Sequence, residues 1–333
     1  PNDADIDVAI VTLAAVTESG DIHVQDLAGG LAVDSFDGLS GVTITDALNN
    51  NSAGDHITIR ANSPLTVSTG DPVVNNDGGN IVLAAEGNAA GDDLTLDDNV
   101  TATGGSGNIS LYAGDTISLT GTITVSAAGS GAVLGMAGTN FNDGSPVNGT
   151  NAGDVSMADG TTIQSSDGNI TLRAPGNVSL SIVNANSNSD AALGDVIVTA
   201  DYAGVGGGLS NNTGAISDNL TGEAANITGD QVALRAGSGI GDGVAPNDAD
   251  IDVAINTLAA VTVSGDIHVQ DLGGGLTIDT FDSLSGVTIT DAVAPLDSGH
   301  DHITIRASSP LTVSAGDPVV NNDGGNIVLA AEG

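Results

Sequence analysis

The chain has 333 residues, 42 of them acidic and only four basic, for a net charge of −38. Nucleic-acid binding needs cationic groups to displace counterions, so it is excluded, and an anionic membrane surface is a poor partner for the same reason. With 40% hydrophobic residues but 2% aromatics, 48 glycines and no cysteine, the core must be thin layers of Val, Ile, Leu and Ala without disulfides.

In chain order, Pro1–Ser19 reads as a link, and only Val8–Val16 and its copy Val253–Val261 have spacing that allows a turn of helix. Aliphatic residues two apart then recur: Ile22/Val24, Leu31/Val33, Val42/Ile44, Ile57/Ile59, Leu65/Val67, Ile81/Leu83 and Leu94/Leu96. The series continues with Ile109/Leu111, Ile117/Leu119, Ile123/Val125, Val155/Met157, Ile170/Leu172, Val178/Leu180, Val196/Val198 and Val232/Leu234. Such alternation places both members of a pair on one face of a strand. Many pairs follow Gly-Asp or Gly-Asn, and small polar turns separate them. Ala127–Ala152, with Phe141 its only large anchor, reads as an extended loop leaving the structure, and Asn184–Ala191 and Gly204–Gly214 as smaller excursions.

From Pro246 the chain repeats its own opening. Residues 246–333 match 1–87 at about four positions in five with one inserted residue near His300, and 88–245 complete one period of about 245 residues. Regular short strands with glycine turns point to an all-β parallel β-helix, or β-solenoid, running as one continuous body over 1–333. Tandem β-sandwiches would call for longer strands, a bulky core residue such as Trp and clear linkers. Coils stacked at ~4.8 Å, nine or ten to a period, would advance the body about 45 Å. With no start methionine or signal peptide, and with both ends inside a repeat, the natural polypeptide is expected to be longer.

The run Gly239-Ile240-Gly241, Leu258-Ala259-Ala260 and Ser264-Gly265-Asp266-Ile267, with the GNITLRA and GNIVLAA segments, resembles filamentous-haemagglutinin-like repeats of large bacterial surface proteins. That resemblance implies a right-handed parallel β-helix on an exported adhesin or matrix protein, hence an extracellular or cell-surface location. The chain departs from typical members in having no lysine and a near-identical long repeat.

Aspartate-rich turns are the candidate metal ligands, because hard oxygen donors at close spacing suit Ca²⁺. They are Asp3, Asp5 and Asp7, their copies Asp248, Asp250 and Asp252, and the cluster Asp92, Asp93, Asp97 and Asp98; Asn75, Asn76, Asp77 and Asn80 form a further polar group. Neither an EF-hand loop nor a glycine-rich calcium nonapeptide is present, so the competing account is Asx turns and stacked Asn/Asp caps. Carboxylates stacked ~4.8 Å apart repel by about 0.9 kcal/mol per pair even at water's dielectric. On that premise, removing divalent ions at low salt would loosen the body.

Arg60, Arg173, Arg235 and Arg306 occupy equivalent outward positions, and either ion-pair with acids on adjacent coils or offer a basic spot for an anionic sugar. His300 and His302 read as turn residues rather than a metal pair, since the first copy has only His56 there. No nucleophile elbow or lysine base supports an enzyme, and abundant carboxylates make any nominated pair uninformative. Ice binding wants a flat Thr lattice, but the outward column reads Gln25, Arg60, Ala84, Tyr112, Arg173 and Thr199. The expectation is an extracellular structural rod that self-associates into a fibre, stalk or sheath. The alternative is the shaft of a giant adhesin with a separate tip, for which cell-surface polysaccharide is the partner class.

Overall fold

Each aliphatic pair becomes a short strand that pairs with the equivalent strand one coil away. The computed structural model describes residues 5–46, 54–87, 89–139, 141, 153–204, 209, 212–241, 249–291 and 300–332. Among them the strands form three parallel sheets of 14, 8 and 12 strands, beside one antiparallel hairpin made by Thr280–Phe281 and Leu284–Ser285. No helix occurs among the described residues.

One coil shows the plan. Ile57–Ala61 lies in the first sheet, Leu65–Val67 in the second and Val73–Asn75 in the third, and Ile81–Ala85 then returns to the first. Ile57 pairs with Ile81, Leu65 with Leu94 and Val73 with Val100, so like stacks on like. Burial alternates along these strands, and Ile57, Ile59, Leu65, Val67, Ile81 and Leu83 are fully buried. The fold is a parallel β-helix with a dry aliphatic column inside.

Four expectations need correction. Val8–Val16 contains strands Thr12–Leu13 and Ala15–Thr17, and its copy is one six-residue strand, Thr257–Thr262. Leu258 stacks between Val232 and Ile278, and Ala260 between Leu234 and Val287; ladder pairing overrides the local helical spacing. Second, the predicted loop Ala127–Ala152 holds a strand of the first sheet, Val133–Met136, between Ile109–Ala113 and Ile170–Arg173. There Gly135 takes an inward position, and Leu172 fills the room, its Cδ2 lying 3.0 Å from where a Cβ on Gly135 would stand. Residues 140 and 142–152 lie outside the described residues. The excursion expected at Asn184–Ala191 is shifted towards the C-terminus: Asn184 ends the strand Ile182–Asn184, and the loop is closed by Gly194 N–H donating to Ala185 O at 2.9 Å. Of Gly204–Gly214, positions 205–208, 210 and 211 lie outside the described residues.

The fourth correction concerns the period. In the first sheet Ile22 stacks through Ile57, Ile81, Ile109, Val133, Ile170, Val196 and Val232 to Leu258, which is eight coils. The sequence copy of Ile22 is Ile267, about half a coil further on, so a period spans about eight and a half coils and about 40 Å rather than 45 Å. The two copies therefore sit on different faces. Ile22–Asp26 lies in the first sheet, but its copy Ile267–Asp271 lies in the third. Conversely, Leu31–Val33 is in the second sheet and its copy Leu276–Ile278 in the first. Identical sequence presents its outward residues on a new side of the rod.

Candidate functional site

The Gly-Asx step before most of the early strands of the first sheet is the most regular polar feature, and close stacking explains both residues. Gly79, Gly107, Gly131, Gly168 and Gly194 follow one another up the body, and a Cβ on any of them would collide with the backbone carbonyl of the coil before. The following residue then ties the coils. Asn80 N–H donates to His56 Nδ1 at 2.9 Å, while Asn80 Oδ1 accepts from Asn108 N–H at 2.8 Å. Asn108 Oδ1 accepts from Ala132 N–H at 2.8 Å, and Asn169 Oδ1 from Asp195 N–H at 2.9 Å. Before the second sheet a similar column runs from Asp93 to Thr116, Asp154, Asn177 and Ala215. Each side chain accepts an N–H of the next coil, so the acids of these columns are structural ties.

This arrangement alters the electrostatic premise. The first column holds Asp21, His56, Asn80, Asn108, Ala132, Asn169, Asp195 and Gln231, so no two carboxylates stack directly on one another in it. Asp195 is tied to Gln231, one residue past Asp230; burial first, and then the nearby Asp230 charge, push its carboxyl above the ordinary range against the Gln231 N–H. Elsewhere hydrogen bonds win. The Ser35 hydroxyl, helped by Ser40 and Gly41 N–H, holds Asp71 low against some burial, and Thr280 and Ser285 do the same for its copy Asp317. For Asp21 burial raises the carboxyl, but His56 N–H and the His23 ring outweigh it.

The candidate metal ligands are spread over separate partners. Asp92 Oδ2 accepts from Ala89 N–H at 2.6 Å, Asp93 Oδ1 from Thr116 N–H at 3.0 Å, Asp97 from the Thr120 hydroxyl, and Asp98 from Asn99 N–H at 2.7 Å and Gly70 N–H. Asp5 lies 3.7 Å from Arg60, and Asp7 pairs in register with Gln25. Asp250 is half-buried ahead of Ile251–Ala254, and Asp252, buried within that strand, donates its N–H to Asn226 Oδ1 at 2.9 Å. Asp3 and Asp248 lie outside the described residues. In the further polar group, Asn75 Nδ2 donates to Asp55 O at 2.7 Å, Asp77 Oδ2 accepts from Asp55 N–H at 2.7 Å, and Asn76 accepts from Thr103. Among the described residues no three His, Asp or Glu side chains stand together in a metal-holding group.

The outward column of the first sheet runs Gln25, Arg60, Ala84, Tyr112, Met136, Arg173, Thr199 and Arg235. Arg60 makes a two-pronged contact with Glu86, at 2.7 and 3.1 Å, and lies 5.0 Å from the centre of the Phe141 ring. Phe141 in turn meets Tyr112 edge-on at 5.0 Å, and burial raises the Tyr112 phenol. Arg173 lies 5.2 Å from the Tyr202 ring, Arg235 pairs with Asp282 at 2.7 Å, and Arg306 with Glu332 at 3.0 Å. Glutamate just past the end of the next strand, or a residue folded back from a loop, thus meets each guanidinium. Of the histidines, His56 and His302 accept from Asn80 and Asn326 N–H, both at 2.9 Å, while His23 and His268 lie beside Asp21 and Asp266. His300 contacts Asp323 O at 2.9 Å.

Sequence reasoning missed one pair. Asp26 and its copy Asp271 point inward and are 0% and 1% exposed, taking the place that Ala61, Ala85 and Ala113 hold elsewhere in the ladder. One oxygen of each accepts a backbone N–H, from Ile10 at 3.1 Å for Asp26 and from Gly273 at 3.1 Å for Asp271, while both Oδ2 atoms are buried without a hydrogen bond. Burial raises Asp271 against the N–H groups of Gly273 and Ile255. The signal was available, since the strand IHVQD sets its Asp in step with Ile and Val.

Comparison of the chain with protein-family models, with characterised proteins and with solved structures finds no match.

Proposed function

We propose that the chain is a structural rod, a segment of an exported bacterial surface protein of the filamentous-haemagglutinin-like kind, whose stacked periods build an extracellular fibre, stalk or sheath. The observation that carries this reading is the use of polar groups. Side chains that could bind or catalyse are engaged in holding one coil to the next, as when Asn80 and Asn108 each accept the following coil's N–H. Hydrogen bonds that run along the axis resist extension, and a thin aliphatic core needs no globular mass to be stable. The motifs GNITLRA and GNIVLAA and the parallel coils support the family reading together. Electron microscopy of the purified chain tests it. Ordered filaments or rods that lengthen with the number of periods are the expected result. Compact particles would refute it, and dispersed rods that never associate would favour the adhesin shaft.

A further inference from the structure

The two copies of the repeat allow one edge of the rod to be seen both bare and covered. In the first copy the opening strands are open to solvent: Ile6 is 66% exposed, and Phe36 in the turn beyond is also 66% exposed. In the second copy the equivalent Ile251 is 0% exposed and Phe281 is only half-exposed. What covers the second copy is the coil Ala224–Gly241. Val253 stacks on Ile227, Leu258 on Val232 and Ala260 on Leu234. The turn that carries Phe281 is closed over the same coil by Arg235, which pairs with the Asp282 carboxylate at 2.7 Å and also donates to its carbonyl. The first copy keeps the matching parts: Val8, Leu13 and Ala15 still face the core, and Asp37 stands where Asp282 stands.

We infer that the opening edge is a docking face for a coil of the chain's own 224–241 sequence placed directly ahead of it, with Asp37 receiving its arginine. The far end is matched to a different coil. The closing strands Leu311–Val313, Val319–Asn321 and Ile327–Ala331 copy Leu65–Val67, Val73–Asn75 and Ile81–Ala85, which in the first copy are covered by the coil that follows Gly87. Each edge therefore selects the coil next in the period, and periods join in one order only. One position is less matched: Val11 stands where Asn256 donates to Asp230 Oδ1 at 2.8 Å. A joint at the first copy lacks that bond. Each joint crossed also turns the repeat by about half a coil, as the two copies here differ.

This inference rests on the fibre reading and names what joins the periods. The test uses the full chain with a second copy of residues 222–245 placed directly ahead of Pro1. Hydrogen exchange of residues 6–17 is compared with that of their copies 251–262 in the same molecule, which act as an internal standard. In the chain alone 6–17 exchange much faster than the copies; in the extended chain their protection rises at least about 100-fold, towards that of the copies. Asp37→Ala in the extended chain lowers the gain, and Val11→Asn raises it. No gain in protection overturns the docking face, even if the chain is a rod and the fibre reading survives. Concentration-dependent protection of 6–17 in the chain alone, through pairing of two copies, overturns the occupant named here. A chain that is no rod in microscopy would remove both readings at once.

Discussion

Replacing Gly107 by alanine isolates the feature that sets coil spacing. Gly107 has no left-handed backbone, so alanine is conformationally allowed and would by itself stabilise the chain by about 0.4–1 kcal/mol through the unfolded state. The native stack decides otherwise. The new Cβ would stand 2.7 Å from the Gly79 carbonyl carbon and closer still to its oxygen, where ordinary contact begins near 3.4 Å. Clearing the carbonyl carbon alone requires the coils to part by roughly 0.7 Å, and the oxygen needs more; even that stretches the Ile81 N–H to Asn108 O bond from 2.9 Å, and the Asn108 N–H to Asn80 Oδ1 bond from 2.8 Å, to about 3.5 Å. Two bonds of about 1 kcal/mol each, with about 1–3 kcal/mol of overpacking, less the entropic gain, leave a net loss of about 2–4 kcal/mol. Urea unfolding of Gly107→Ala measures this, with Gly274→Ala as control because a Cβ there meets nothing within 4 Å. A Gly107→Ala chain as stable as Gly274→Ala would refute the stacking argument.

Other outcomes follow from the same ties. Asn108→Ala removes the acceptor of Ala132 N–H and should cost about 1 kcal/mol, whereas Ala132→Asn supplies the side-chain acceptor missing from the column and should gain about 0.5–1 kcal/mol, both read from denaturant midpoints. Because Asp271 is raised in the folded chain, that chain holds the proton more firmly than the unfolded one. Its contribution is therefore full at low pH and is lost as pH rises from the ordinary carboxylate value of about 4 through the raised one. Asp271→Asn should flatten the stability–pH curve in that window; an unchanged slope would show that the carboxyl does not titrate there. Asp71 and Asp317 have the opposite sign, so their contribution is present above about pH 4 and lost as the pH falls through their lowered values. Divalent-ion removal tests calcium at Asp5, Asp7, Asp92, Asp93, Asp97, Asp98, Asp250 and Asp252. With N–H and hydroxyl donors already on the Asp92–Asp98 carboxylates, EDTA in dilute buffer should move Tm by less than about 3 °C, the shift that about 1 kcal/mol gives a chain of a few hundred residues. A much larger fall would assign those aspartates an ion.

The alternating pairs carried most of the fold. The outward column was legible as Gln25, Arg60, Ala84, Tyr112, Arg173 and Thr199 because each follows the second aliphatic residue of its strand, and the register aligns them. Met136 was lost from that column because its strand breaks the pattern. Val133 and Gly135 face inward and Leu134 outward, so the second inward position lacks its aliphatic residue, and the space is filled by Leu172 from the next coil. Thr257–Thr262 was illegible for a related reason, since the Ala-Ala pair lies in one continuous strand where Val232 and Leu234 lie against it, whereas the bare first copy is divided into Thr12–Leu13 and Ala15–Thr17. The half-coil turn between copies could not be read from either copy. It depends on the total of coil lengths that run from 18 residues, Ile6 to Val24, to 44 residues, Val183 to Ile227. Among site residues, the acids were visible but their partners were not, because an Asx tie joins positions 23 to 38 residues apart. The buried Asp26 and Asp271 went unseen because acidic residues are rarely enclosed without a partner, and the backbone N–H that each accepts belongs to a loop.

Fibre diffraction from an aligned, concentrated preparation of the chain tests the stacked-coil architecture most directly. Strands perpendicular to a rod axis should give a strong meridional reflection near 4.8 Å, and a period should advance the axis by about 40 Å. A pattern whose 4.8 Å spacing lies on the equator, or separate modules spaced along the chain like beads, would contradict it.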